Sequence, residues 1–139
     1  LIGEMNNEVK AHNAKLLVTT LSSSIQVDPD ATAREQLEKR LGVANLFYPD
    51  ERVQQVSEHD GIPVLTLAPE FQKYAQEHNV QLHGFHGSRQ GHWNEAGHQL
   101  GGEMMAQRVC QMVSQPTGEV PATKSASSKQ RASKPGSPS

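Results

Sequence analysis

Apolar residues recur every three or four positions in five segments of the chain, a spacing that places them on one face of an amphipathic helix. Two shorter apolar runs lack this period and indicate buried strands. The helical segments are 1–13, 31–42, 48–61, 68–79 and 94–113, and the strand-like runs are 16–20 and 62–67. Strands that alternate with helices of this length predict an α/β fold with a parallel sheet.

The last helix has the clearest predicted start. Residues 80–93 contain three glycines and no periodicity, so they are expected to form a loop. Asn94 follows this loop and is well suited to cap the helix, because its side chain can accept a hydrogen bond from a free backbone N–H of the first turn. The core stripe of this helix is expected at Ala96, Leu100, Met104, Val109 and Met112 or Val113.

Composition divides the chain into two parts. From Gln115 onward the residues are mainly Ser, Pro, Lys and Ala, and four basic residues against one acidic residue give this segment a charge of +3. Such a segment cannot bury enough apolar surface to offset its ordering entropy, so 115–139 is predicted to be a disordered basic tail. A basic arm that contacts an acidic partner is the alternative. Residues 1–114 then form the folded part, with a charge of −5.

Length and charge limit the classes of function. The 139 residues have room for one modest domain, and the net charge of −2 does not indicate a nucleic-acid surface. No apolar run approaches the length of about 18 residues that a membrane span needs. Cys110 is the only cysteine, which excludes an internal disulfide, and its position in a helical apolar pattern predicts a packed thiol. Because the chain opens at Leu1 in the middle of a helical pattern, we expect it to be a fragment.

Five of the seven histidines fall between residues 78 and 98, and three interpretations of this cluster stay open. The first is a zinc site formed by imidazole nitrogens; its candidate ligands are His83, His86, His92 and His98. The second is structural, with His98 packed against nearby backbone, His78 and His83 solvated, and Trp93 a core or rim aromatic. The third is catalysis by His92 as general base, since the ordinary pKa of imidazole suits proton transfer near neutral pH.

The stretch "GHWNEAGHQLGGEMMA", residues 91–106, resembles the last sequence block of the SGNH (GDSL-type) hydrolases. The resemblance implies a three-layer α/β/α fold with a parallel sheet, of which this chain would supply only the C-terminal part. It also implies that His92 is the general base of a Ser-His-Asp triad. Asn94, Gly97 and His98 match the structural positions that follow.

Two departures from the family pattern qualify this resemblance. Gln90 occupies the position where the family has an aspartate before the histidine, and the chain contains no Gly-Asp-Ser-like block. The serine nucleophile is therefore expected outside this chain, and either another group orients His92 or activity has been lost.

The resulting prediction is a hydrolase acting on small-molecule or carbohydrate esters, with no cofactor or metal; carbohydrate deacetylation is one form of this activity. The alternatives are a sugar O-acyltransferase of the same fold and a catalytically inactive α/β binding module.

Overall fold

A computed structural model of the chain describes residues 1–85 and 87–114. This part of the protein contains five helices and two strands in the predicted order, which confirms the α/β class. The helices are α1 (Ile2–Ala11), α2 (Ala31–Leu41), α3 (Tyr48–His59), α4 (Ala68–His78) and α5 (Glu95–Ser114), and the strands are β1 (Val18–Thr20) and β2 (Val64–Thr66).

The two strands pair in parallel, with Val18 opposite Val64 and Thr20 opposite Thr66. Parallel pairing requires a crossover, and α2 and α3 provide it. The expectation that the run 16–20 is a buried strand covered on both faces is wrong, because Val18–Thr20 are only half-buried. Val64–Thr66 of the second run are half-buried as well. A sheet of two strands, the extent found in the described residues, leaves each strand with an unpaired edge.

Local sequence sets the helix ends. The Asp30 carboxylate accepts a hydrogen bond from the Thr32 N–H at the start of α2. Gly42 ends that helix in the left-handed conformation with φ +67°, a backbone geometry that glycine adopts without a Cβ penalty. Asn79 ends α4 in the same way, with φ +49°. These ends agree with the sequence-based predictions.

The core lies around α4 and the segment that follows it. Phe71 and Ala75 of α4 are fully buried together with Leu82, and Leu100 and Met104 of α5 pack against them. The contiguous cluster of buried apolar residues comprises Val27, Leu67, Ala68, Phe71, Ala75 and Leu82, and Leu46 and Ile62 are buried outside this cluster. The first half of the stripe predicted on α5 thus reaches the core, apart from Ala96, which is exposed.

The second half of α5 differs from the prediction. Val109 is 47% exposed, and Cys110 is also exposed, so the expected packed thiol is wrong. Among the described residues, Met104 is the last residue of α5 that packs against the buried cluster. Val109 and Cys110 lie beyond this contact. The Lys15 ammonium donates a hydrogen bond to the Met112 carbonyl and ties the end of α5 to the segment before β1.

Within residues 1–85 and 87–114, no helix is both long enough and apolar enough to cross a bilayer. The prediction of a disordered basic tail at 115–139 lies outside the described residues.

Candidate functional site at the carboxyl edge of the sheet

Ser22 lies directly beyond the carboxyl end of β1. Because Thr20 and Thr66 are register partners in a parallel pair, both strands end at the same edge of the sheet. Open α/β sheets collect their ligands at this edge. Ser22 is only 8% exposed, so its hydroxyl needs hydrogen-bond partners within the protein.

Those partners are two aromatic side chains from the loop before α5. The Ser22 Oγ lies 3.0 Å from His83 Nε2 and 3.0 Å from Trp93 Nε1. His83 Nδ1 lies 2.9 Å from the Gly91 carbonyl oxygen, which can only accept, so Nδ1 carries the proton. In neutral His83 the Nε2 atom then accepts from the Ser22 hydroxyl, and that hydroxyl accepts from the Trp93 N–H. We call these four residues the His83 network.

The His83 network favours a neutral imidazole. Burial lowers the pKa of His83, the hydrogen bond to the Gly91 carbonyl opposes this by raising it, and the neighbouring His92 imidazole lowers it further. The net direction is downward from the ordinary value. A neutral ring donates one hydrogen bond and accepts one, which matches the two partners of His83.

Backbone hydrogen bonds hold the His92 segment against the chain that follows α4. The Gly84 N–H donates to the His92 carbonyl at 2.9 Å, and the Asn94 N–H donates to the Leu82 carbonyl at 3.0 Å. The Asn94 side chain adds two more bonds: its amide donates to the Gln81 carbonyl, and its oxygen accepts from the Gly97 N–H. The predicted capping role of Asn94 is confirmed.

Gly84 makes the turn between these two segments feasible. It has φ +85°, and a Cβ at this position would lie 1.9 Å from the Ser88 carbonyl oxygen. No other residue fits both the backbone conformation and the space. The backbone of Ser88 therefore lies directly against Gly84, and the chain then continues to His92.

Trp93 joins the loop to the core. Its ring lies 4.9 Å from that of Phe71, centroid to centroid, and it packs over Gly101 of α5. The interpretation of Trp93 as a core or rim aromatic is confirmed. His98 is exposed, and its ring lies 5.7 Å from that of Trp93 in a T-shaped arrangement, so the predicted packing of His98 against nearby backbone is wrong.

His92 itself is exposed, in contrast to the buried His83. Among the described residues no hydrogen bond reaches its imidazole, and the side chain of Gln90 is also exposed without one. The geometry therefore fixes the backbone of His92 at the sheet edge while its ring faces outward.

Comparison with known proteins assigns no family. No family model, curated protein or solved structure matches this chain. The function is therefore argued from this geometry together with the resemblance in residues 91–106.

Sequence reasoning missed the two central members of the site. His83 was expected to be solvated and is 3% exposed, because Ser22, Trp93 and Gly91 enclose it. Ser22 has no role in the sequence-based prediction, because the serines at 22–24 do not stand in a Gly-Asp-Ser-like block. One signal was present: an indole N–H and a histidine close together in a loop both need partners, and a serine at a strand's carboxyl end can serve both.

The zinc hypothesis loses one candidate ligand in this geometry. Both ring nitrogens of His83 are engaged inside the protein, and His86 lies outside the described residues. No cluster of three or more His, Cys, Asp or Glu side chains with metal-binding geometry occurs within residues 1–85 and 87–114.

An open cavity of about 410 Å³ also borders this edge of the sheet. Leu21 and Ser23, the neighbours of Ser22, contribute to its wall. Gln26 and the buried Asp50 lie at its polar side, where the Gln26 amide donates to the Asp50 carboxylate at 2.9 Å. The volume lies within the range of small-molecule sites. Its other walls are apolar and include Ile25, Leu37, Leu41, Leu46 and Val53.

Proposed function

We propose that this chain is the C-terminal part of an SGNH-type ester hydrolase of three-layer α/β/α architecture, with His92 as its general base. The nucleophilic serine in this proposal lies outside these 139 residues, since no serine here stands in a Gly-Asp-Ser-like block. The substrate class is a small-molecule or carbohydrate ester, and no cofactor is required.

The observation that carries the proposal is the placement of His92. Its backbone is held by hydrogen bonds at the carboxyl edge of a parallel sheet, and its imidazole is exposed there. A general base needs this combination, because the ring must reach a reacting group while its backbone stays fixed. The exposed His78 lacks these loop contacts and stacks on Tyr74 of α4 instead.

The chemistry follows the general pattern of serine hydrolases. His92 takes the proton of the serine hydroxyl as the serine oxygen bonds to the ester carbonyl carbon, and it returns that proton to the departing alcohol. Water then attacks the acyl-enzyme with the same histidine as base. When a sugar hydroxyl replaces water, the same steps transfer the acyl group, which is the O-acyltransferase variant of the proposal.

The cavity beside Leu21 and Ser23 supports an ester with an apolar portion. Its apolar walls favour burial of acyl or alcohol carbons.

A binding module is the second candidate, and one observation favours it. Among the described residues nothing accepts a hydrogen bond from the His92 ring, whereas catalytic histidines of this type use an acceptor to fix the tautomer. The exposed Gln90 does not fill that role.

A fluorophosphonate probe tests the proposal without knowledge of the substrate. The probe phosphorus bonds to an activated serine oxygen, and fluoride leaves. We expect the complete protein to be labelled at one serine outside residues 1–139, and we expect His92→Ala to lower the labelling rate by about 100-fold or more. Hydrolysis of a short-chain aryl ester should fall in parallel.

His78→Ala is the matched control, because His78 is exposed on a helix and takes no part in the loop. Its labelling rate should equal that of the wild type. Absence of labelling and of ester hydrolysis in a folded protein would favour the binding module instead. Labelling mapped to Ser22 by mass spectrometry would assign the nucleophile to this chain and contradict the proposal.

A further inference from the structure

We infer that Ser22 and His83 are positioning residues that hold His92 at the edge of the sheet. This inference rests on the proposed function, in which His92 is the base. The proposed mechanism does not use these two buried polar side chains directly. In this inference they contribute to catalysis by holding the backbone of His92.

The connection from β1 to His92 is a continuous series of short contacts. Ser22 follows β1, and its hydroxyl bonds to His83 Nε2 at 3.0 Å. The opposite ring nitrogen of His83 donates at 2.9 Å to the carbonyl of Gly91, whose peptide unit includes the N–H of His92. The next peptide unit is held too, because the His92 carbonyl accepts from the Gly84 N–H.

Gly91 shows why this support is needed. Its φ of +107° is a conformation that glycine adopts readily and other residues rarely do, and glycine loses the most conformational entropy when it is fixed. A hydrogen bond from a rigid, buried imidazole to its carbonyl selects one orientation of the peptide unit before His92. Without that bond the exposed His92 ring would sample a wider region of space.

Burial argues that Ser22 and His83 do not themselves react with a substrate. Ser22 is 8% exposed and His83 is 3% exposed. The Ser22 oxygen already accepts a hydrogen bond from Trp93, whose ring is packed on Phe71. A nucleophile must contact the carbonyl carbon that it attacks, and here an anchored indole occupies the approach.

Two variants of His83 separate positioning from simple stability. His83→Ala removes both hydrogen bonds, whereas the amide of His83→Asn can still donate to the Gly91 carbonyl from near the place of Nδ1. In the complete protein we expect His83→Ala to lower kcat for an aryl ester by about 10-fold to 100-fold with little change in KM. His83→Asn should recover part of that loss. Ser22→Ala should lower kcat less than His83→Ala, because the bond to Gly91 remains.

Ala75→Gly provides the stability control. Ala75 is buried in α4 and belongs to the core, but it makes none of the hydrogen bonds of the His83 network, so its variant lowers stability while those bonds remain. Its kcat should remain near that of the wild type. Equal reductions of kcat in His83→Ala and Ala75→Gly would overturn the inference. Complete loss of activity in Ser22→Ala, together with labelling of Ser22 by the probe, would also overturn it.

Amide hydrogen exchange decides the inference even if the complete protein proves inactive. The Gly84 and Asn94 amides donate across the two loop segments. We expect both to exchange about 10-fold faster or more in His83→Ala than in the wild type, and Ala75→Gly should not reproduce this difference. Unchanged exchange in His83→Ala would overturn the positioning role, whereas absence of labelling in the wild type would overturn only the proposed function.

Discussion

Residues 81–101 and residues 1–43 differ both in sequence pattern and in the burial of their side chains. In the first region Leu82 and His83 are buried, and the loop is joined to α5 and to β1 by hydrogen bonds. In the second region, large apolar side chains in and beside the helices α1 and α2 lie in solvent. Leu1 is 92% exposed, Met5 50%, Leu21 66% and Leu41 59%.

The difference lies in what each region packs against. The loop in residues 81–101 forms hydrogen bonds within itself and packs against α4. Its polar groups therefore find partners within a short span of the chain. In α1, Asn6 is buried, but Ile2 and Val9 are only half-buried. The Thr20 hydroxyl of β1 is buried without a hydrogen bond from the described residues. Periodicity thus predicts which residues could be buried, whereas burial itself requires a second surface.

The largest expected effect concerns the folded part as a whole. Two half-buried strands with exposed edges are a weak basis for independent folding. We expect residues 1–114, expressed alone, to aggregate or to associate through residues 1–43. Size-exclusion chromatography with light scattering and urea unfolding measure this. A soluble monomer with one cooperative unfolding transition would contradict the expectation. In a separate measurement, protection of backbone amides from hydrogen exchange should be highest in residues 81–101.

The next prediction compares the stability effects of alanine at two glycines of α5, Gly97 and Gly102. A Cβ at Gly97 would lie 2.3 Å from the Leu82 carbonyl oxygen, which the Asn94 N–H already holds in place. Gly97→Ala should therefore lower the free energy of unfolding by about 1–3 kcal/mol. Denaturant unfolding of the complete protein measures it.

Gly102→Ala is the matched control on the same helix. Nothing lies within 4 Å of a Cβ at Gly102, so alanine there should raise stability by about 0.5–1 kcal/mol through helix propensity. Equal effects of the two substitutions would show that the close contact at Gly97 does not constrain the loop.

The two regions also differ in how far the sequence predicts them. The ends of α2 at Gly42 and the start of α5 at Asn94 were predictable because capping depends on residues next to each other in the chain. The burial of His83 was not, because its partner Ser22 comes 61 residues earlier and only the parallel sheet brings them together. The exposure of Cys110 was missed for the opposite reason: the helical pattern continues where the core has ended.

A smaller effect compares the two helix caps. Asp30 caps α2 at an exposed position through one bond to Thr32, whereas Asn94 caps α5 and also donates to the Gln81 carbonyl. Each alanine substitution loses a cap worth about 0.5–2 kcal/mol, and Asn94→Ala should lie at the upper end. Thermal or urea unfolding of both variants measures the difference. If Asp30→Ala were the more damaging substitution, the ranking of the two regions would be wrong.

The smallest effect is the pH dependence that His83 confers. Burial holds the pKa of His83 below the ordinary value of about 6.5, so the unfolded chain binds this proton more readily than the folded protein. The stability due to His83 should be complete above about pH 6.5, fall as the pH drops below that value, and level off below the folded-state pKa. Protonation also places a proton on Nε2, which then cannot accept from Ser22. Urea midpoints measured between about pH 7.5 and pH 5 should therefore decline more steeply in the wild type than in His83→Asn. Parallel curves would mean that the His83 network tolerates a charged imidazole. Packing around Trp93 would then stabilise residues 81–101 more than these hydrogen bonds do.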